Sequence, residues 1–247
     1  ERPVPASTAP DEQVSPTQPF PTHPLPFDRQ GLMVEDLIDF TPALRQQALE
    51  IVSQYDHGVI YTPPSQRGVV SVPGGVGGGD WAGGAIDAGT GWLYIPSHTK
   101  PDVIQLGETG DQSSTATYFA ERNESLHGPQ GLPLMKPPYS RITAIDLNTG
   151  DHMWMVPTGT GPVNHPALKS LGPLPPLGSG GRFFVLATPS SLLVTAEHAQ
   201  WLRGGGHPFD VDAERYLWAY DLEDGRLLDR LPMPGNATGN PITYSVN

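Results

Sequence analysis

Ala144-Ile145-Asp146-Leu147-Asn148-Thr149-Gly150 leads into Trp154, and the same phrase recurs at Ala85-Ile86-Asp87-Ala88-Gly89-Thr90-Gly91 and at Ala219-Tyr220-Asp221-Leu222-Glu223-Asp224-Gly225. Each copy reads Ala-x-Asp-x-x-x-Gly. A strand whose small Ala packs inward ends at Asp, the carboxylate accepts N–H groups of the turn, and Gly supplies the positive φ from which the next strand returns. Each phrase therefore marks a hairpin. The spacing between copies is irregular, as in a repeat architecture that carries insertions. Met153-Trp154-Met155 completes the second hairpin with an aromatic able to wedge between neighbouring sheets, which the radially packed four-stranded blades of a β-propeller require.

Composition agrees with an all-β chain. The 29 Gly and 29 Pro far exceed ordinary usage without a collagen period, which fits many short strands joined by turns. With 247 residues, 37% of them hydrophobic, the chain can supply a core. Acidic residues outnumber basic ones, 26 to 14, and the net charge of -12 repels a phosphate backbone, so nucleic acid is excluded as an expected partner. No apolar run approaches the roughly 20 residues of a membrane-spanning helix, so a membrane anchor is expected only outside this chain. The absence of cysteine removes disulfides, thiolate metal sites and thiol nucleophiles.

Two regions are expected along the chain. Residues 1–56 form a Pro-rich extended segment, without regular pairing, that ends in one short helix. Thr41 is its N-cap and Pro42 its first helical residue, with good helix formers behind. Residues 57–247 form partial propeller blades. Strand-like runs are Val59–Tyr61, Val69–Val72, Ala85–Asp87, Trp92–Pro96, Ile142–Leu147, Met153–Val156, Phe183–Ala187, Leu192–Thr195, Tyr216–Leu222 and Arg226–Leu231. The stretches Lys100–Pro138 and His198–Glu214 are too long for hairpin turns and are expected as surface excursions. Pro241–Asn247 alternates like a half-buried strand and stops without a partner, so both ends are expected to be truncations.

The Ala144–Trp154 phrase resembles the blade motif of the pyrroloquinoline-quinone (PQQ)-dependent dehydrogenases; at the Trp position the first copy has Ile95 and the third Asp229. Ser15–Phe20, Ile60–Ser65, Gly131–Tyr139 and Asn240–Asn247 are similar to stretches of the membrane-bound quinoprotein glucose dehydrogenase branch and span the chain almost end to end. The resemblance implies the C-terminal part of an eight-bladed propeller, with about two whole blades and pieces of two others. It also implies a periplasmic enzyme that oxidises glucose or a related sugar or polyol. Hydride would pass to PQQ beside Ca2+ or Mg2+, and electrons on to ubiquinone. The family's general-base segment, of His-Asp-Leu-Trp-Asp type, and its quinone-binding Lys have no match here, so no catalytic residue is assigned. The alternative is a non-enzymatic propeller scaffold that binds protein partners.

Candidate cofactor contacts follow from that comparison. Gly77-Gly78-Gly79-Asp80-Trp81 brings a Gly-rich approach, one carboxylate and one Trp to the start of an inner strand, where the family places a polar residue and a Trp facing the quinone. A turn Asp beside a core Trp would read the same way. The run lacks the Gly-Lys-Ser/Thr ending of a phosphate loop. Ser97, His98 and Thr99 end the strand Trp92–Pro96, where a propeller turns polar side chains towards its axis; an exposed turn would read equally well. The eight histidines are scattered singly without i, i+4 pairing, so no His metal site is expected.

Overall fold

The protein's structure, a computed structural model, describes residues 1–75, 77–79, 83–197 and 215–245. In chain order the elements are β1 (Arg2–Pro3), β2 (Thr17–Gln18), α1 (Pro42–Val52), β3 (Val69–Ser71), β4 (Ala85–Asp87), β5 (Trp92–His98) and β6 (Asp102–Glu108). There follow β7 (Tyr118–Ser125), β8 (Ser140–Asp146), β9 (His152–Pro157), β10 (Phe183–Ala187), β11 (Leu192–Ala196), β12 (Tyr216–Tyr220) and β13 (Leu227–Pro232), with short 3-10 turns between some of them. The chain divides into two compact units. The first gathers Glu1–Pro21, Arg29–Gly78 and Thr99–Lys136, the second Thr22–Asp28, Gly79–His98 and Pro137–Asn247.

In the first unit α1 forms where its signals place it. The Thr41 hydroxyl accepts the Leu44 N–H at 3.1 Å, Pro42 opens the first turn, and Leu44, Ala48 and Val52, each one turn beyond the last, bury one face. That face belongs to a core with the fully buried Leu32, Leu37, Ile38, Leu132 and Leu134. The Pro-rich start does pair with itself, Arg2 opposite Gln18 and Pro3 opposite Thr17, because a two-residue ladder needs only the N–H groups that proline leaves. Val59–Tyr61 is not a strand; Val59 makes one isolated bridge to Gly31.

The stretch Lys100–Pro138 is folded structure and not a surface excursion. β6 and β7 pair antiparallel within it and extend β3 into a three-stranded sheet in the order β3-β6-β7. Val103, Leu132, Leu134 and Met135 are buried there. Its Pro and Gly residues lie between apolar side chains that find a core, so turn signals outweighed a real strand pattern. His198–Glu214, the other expected excursion, lies outside the described residues.

The second unit is two four-stranded antiparallel sheets, ordered β4-β5-β8-β9 and β10-β11-β12-β13. These are two consecutive blades of a partial β-propeller, as the repeat predicts. Tyr94, Ile142 and Ala144 of the first blade pack with Phe183, Val185, Leu192, Val194, Trp218 and Tyr220 of the second. Full burial of one such side chain is worth about 1.5–3 kcal/mol, so this cluster is the main apolar cement between the sheets. All three repeat phrases make the hairpin expected of them. Gly89, Asn148 and Glu223 donate their N–H groups to Oδ1 of Asp87, Asp146 and Asp221, and Gly91, Gly150 and Gly225 have φ of 77°, 81° and 70°.

The copies are not equivalent, however. The first joins the two inner strands β4 and β5, whereas the others join the outer pairs β8–β9 and β12–β13. The outer pairs share one register: Ala144 faces Trp154 and Ala219 faces Asp229, each followed by a shift. Trp154 is half-buried against the second blade rather than fully enclosed, and its indole N–H donates to Leu222 O at 3.0 Å. Residues 241–245 take no strand pairing, and Ile242 and Tyr244 are 81% and 82% exposed.

Candidate cofactor-binding site

Ser97 and His98 are the last two residues of β5, placed by a ladder to β8 in which Ser97 stands opposite Arg141 and His98 opposite Ser140. Neighbouring residues of a strand face opposite ways, so the two do not share a face. Both are buried, at 4% and 5% exposure. The Ser97 hydroxyl accepts a hydrogen bond from Arg141 Nε at 3.1 Å, while Arg141 Nη1 donates to Pro138 O at 2.8 Å and Nη2 pairs with Asp28 Oδ1. The Arg141 and Asp28 side chains are 3% and 8% exposed, so this is a buried ion pair that fixes the polar end of β5. Among the described residues, Ser97 Oγ makes that one hydrogen bond, which leaves its O–H proton for an acceptor.

The Arg141–Asp28 pair was not among the residues expected to matter. Its signal is the one basic residue in the buried β8 run, Ser-Arg-Ile-Thr-Ala-Ile-Asp, which a buried strand tolerates only with a partner. On the other face, the Ser140 hydroxyl donates to Thr158 O at 2.9 Å and accepts the Gly180 N–H at 3.2 Å. Gly178, at φ 79°, lies so close to the Ser140 backbone that a Cβ there would collide with its carbonyl oxygen.

Thr99 belongs to the first unit and is buried at 8% exposure. Asp102, also in that unit and 5% exposed, takes the Gly75 N–H on Oδ2 at 2.7 Å, and Gly74 is packed too closely on this carboxylate to carry a side chain. Asp102 thereby holds the beginning of the glycine run. Asp80 and Trp81 lie outside the described residues. Within the second unit, burial pushes the Tyr94 phenol up to about 12, and the Asp87 and Asp221 carboxylates add to the shift. Among the described residues no group of three or more His, Cys, Asp or Glu is arranged to hold a metal ion, and no helix is long and apolar enough to cross a membrane.

Comparison with known proteins identifies the frame in which these residues sit. The family described as PQQ, glucose/ethanol/alcohol dehydrogenase, beta-propeller domain, matches residues 1–247. The chain belongs to that family. Among its relatives, the quinoprotein glucose dehydrogenase of Escherichia coli (strain K12) is 29% identical over 100% of this chain and 32% of its own length. The quinate/shikimate dehydrogenase (quinone) of Acinetobacter baylyi is 24% identical over 99% of this chain and 31% of its own. The glycerol dehydrogenase large subunit of Gluconobacter oxydans (strain 621H) is 27% identical over 100% and 35%. The chain thus spans about a third of the length of the curated relatives it matches.

Membership of the PQQ propeller family implies a quinone cofactor, and the described residues fit one in their chemistry. PQQ presents carbonyl and carboxylate acceptors at its rim, and the Ser97 hydroxyl, buried and already accepting from Arg141, has a proton to donate to such an acceptor.

Proposed function

We propose that the protein containing this chain is a quinoprotein dehydrogenase that oxidises glucose or a related sugar or polyol, with PQQ as hydride acceptor and ubiquinone as the next electron carrier. The observation that carries the reading is the family match over the whole chain. The order of the glucose-dehydrogenase-like phrases supports the sugar substrate. Asp80, Trp81, Ser97, His98 and Thr99 contribute to the wall around the quinone. Trp81 lies against its ring, Asp80 and Ser97 hydrogen-bond its rim, and the Arg141–Asp28 pair holds Ser97 in place. When bound, PQQ beside Ca2+ or Mg2+ supplies an electrophilic carbonyl carbon for hydride transfer. The general base and the quinone-binding Lys come from parts of the parent outside these 247 residues, as does its anchor in the inner membrane. The working face is periplasmic.

The test is reconstitution of the full-length protein with PQQ and Ca2+ or Mg2+ and measurement of dye reduction with glucose, other aldoses, glycerol and quinate. Sugar-dependent reduction is the expected outcome. Reduction with quinate alone would overturn the sugar assignment, and no reduction with any sugar or alcohol would overturn the dehydrogenase reading.

A further inference from the structure

Between the outer strands of the two blades of the second unit lies a cavity of about 330 Å3, lined by Val156 and Pro157 of β9 and by residues of β12 and β13. On β12 the period of two places Tyr216, Trp218 and Tyr220 on one face of the sheet. Arg230 of β13 stands directly opposite Trp218, and the register shift between Ala219 and Tyr220 brings Leu227 opposite Tyr220 on that same face. All five line the cavity, and Val156 of the preceding blade lines it too. Trp218 and Tyr220, 4% and 5% exposed, are the most deeply buried of these residues. The Tyr216 and Trp218 rings meet at 5.8 Å between centroids, tilted by 55°.

One charge breaks this apolar lining. The Arg230 guanidinium lies 4.7 Å from the centroid of the Tyr216 ring. Among the described residues it makes no ion pair, and its neighbour Asp229 stands opposite Ala219, on the other face of the sheet. A cation stacked on an aromatic ring at the rim of an aromatic cleft offers two things at once. Flat apolar surface receives a ring, and a forked donor receives a carboxylate or sulfonate. The volume suits more than one ring, since a cavity of about 150 Å3 already holds benzene, and it falls in the range of about 300–1,000 Å3 usual for small-molecule sites.

We infer that this cleft between the outer strands of the two blades binds a planar aromatic anion, with the ring beside Tyr216 and Leu227 at the open side of the cleft and the anionic group on Arg230. The site is separate from the quinone wall proposed above and does not depend on it.

Equilibrium dialysis of 1-naphthoate against the full-length protein tests this, with 1-naphthalenemethanol as the uncharged analogue and with PQQ absent or saturating. The expected result is one saturable site per chain that is indifferent to PQQ and at least tenfold weaker for the alcohol. Arg230→Gln should weaken naphthoate at least tenfold while leaving the melting temperature unchanged. Leu227→Glu, which sets a carboxylate in the cleft, should abolish binding. Displacement by PQQ would place the ligand in the cofactor site and overturn the inference. So would absence of saturable binding, equal affinity for the alcohol, or wild-type affinity in both variants. If the protein binds no PQQ at all, the dehydrogenase reading fails and the naphthoate result still stands by itself.

Discussion

Gly225 shows how one residue ties a turn to the neighbouring blade. Its φ of 70° is one that L side chains adopt with strain, and a Cβ there would lie 2.7 Å from Trp154 Cε3. Gly225→Ala therefore meets both a backbone penalty and a clash, and a loss of about 2–4 kcal/mol is expected from chemical denaturation. Trp154→Phe keeps a ring in the wedge and removes the indole hydrogen bond to Leu222 O, so about 1 kcal/mol is expected. Tyr94 makes a second single-residue prediction, in pH. Its phenol titrates near 12 in the folded protein and near 10 when unfolded, so the unfolded chain gives up the proton first as the pH rises. Stability contributed by the neutral phenol is whole below pH 10 and falls between about 10 and 12, by on the order of 1 kcal/mol per pH unit. Denaturation midpoints of Tyr94→Phe should lack that part of the alkaline decline, after a small loss at neutral pH for the hydrogen bond to Leu222 O.

At the scale of elements, the end of β5 depends on a pair that bridges distant sequence. Asp28→Asn leaves the Arg141 guanidinium buried without its carboxylate, and a loss of about 3–5 kcal/mol is expected in the second unit. Replacing both, Asp28→Leu with Arg141→Met, should recover much of that loss in the same denaturation experiment, because the desolvation penalty disappears with the charges. The hairpins were legible in the sequence because Asp, Gly and the strand alternation act within a few residues of each other, and α1 was legible because Thr41 and Pro42 are local signals. What partners a strand is a different matter. The alternation of Pro241–Ser245 has the same period as β12, yet only β12 finds neighbours on both sides. β6 and β7 were hidden by the Pro and Gly around them, and the Asp28–Arg141 pair by a sequence separation that no local pattern spans. Asp229 occupies the register position of Trp154, so the third phrase keeps the hairpin and loses the wedge, a distinction visible in the sequence once the two outer pairs are aligned.

At the scale of the whole molecule, the chain's 247 residues hold two blades and part of a proposed cofactor wall, and the proposed function places the general base elsewhere in the parent. No segment of the His-Asp-Leu-Trp-Asp type occurs among them, and hydride abstraction from a sugar carbon requires a base to take the hydroxyl proton. In the proposed division of labour the wall orients the quinone and a base from elsewhere in the parent takes that proton. The surface gives a second reason. Leu231, Ile242 and Tyr244 are 58%, 81% and 82% exposed, and every residue of β13 is exposed, so apolar side chains lie open along the last strand of the second blade. Exposed apolar surface beside an unpaired strand edge favours association with another copy. The 247-residue chain expressed alone is therefore expected to show no dye reduction with PQQ, Ca2+ and glucose, and to elute from a sizing column above its monomer mass of 26.5 kDa. Adding the remainder of the parent as a separate polypeptide should lower the apparent mass per complex towards one copy of each and restore activity. A monodisperse monomer that oxidises glucose unaided would show that the base lies within these residues and that the proposed division of labour is wrong.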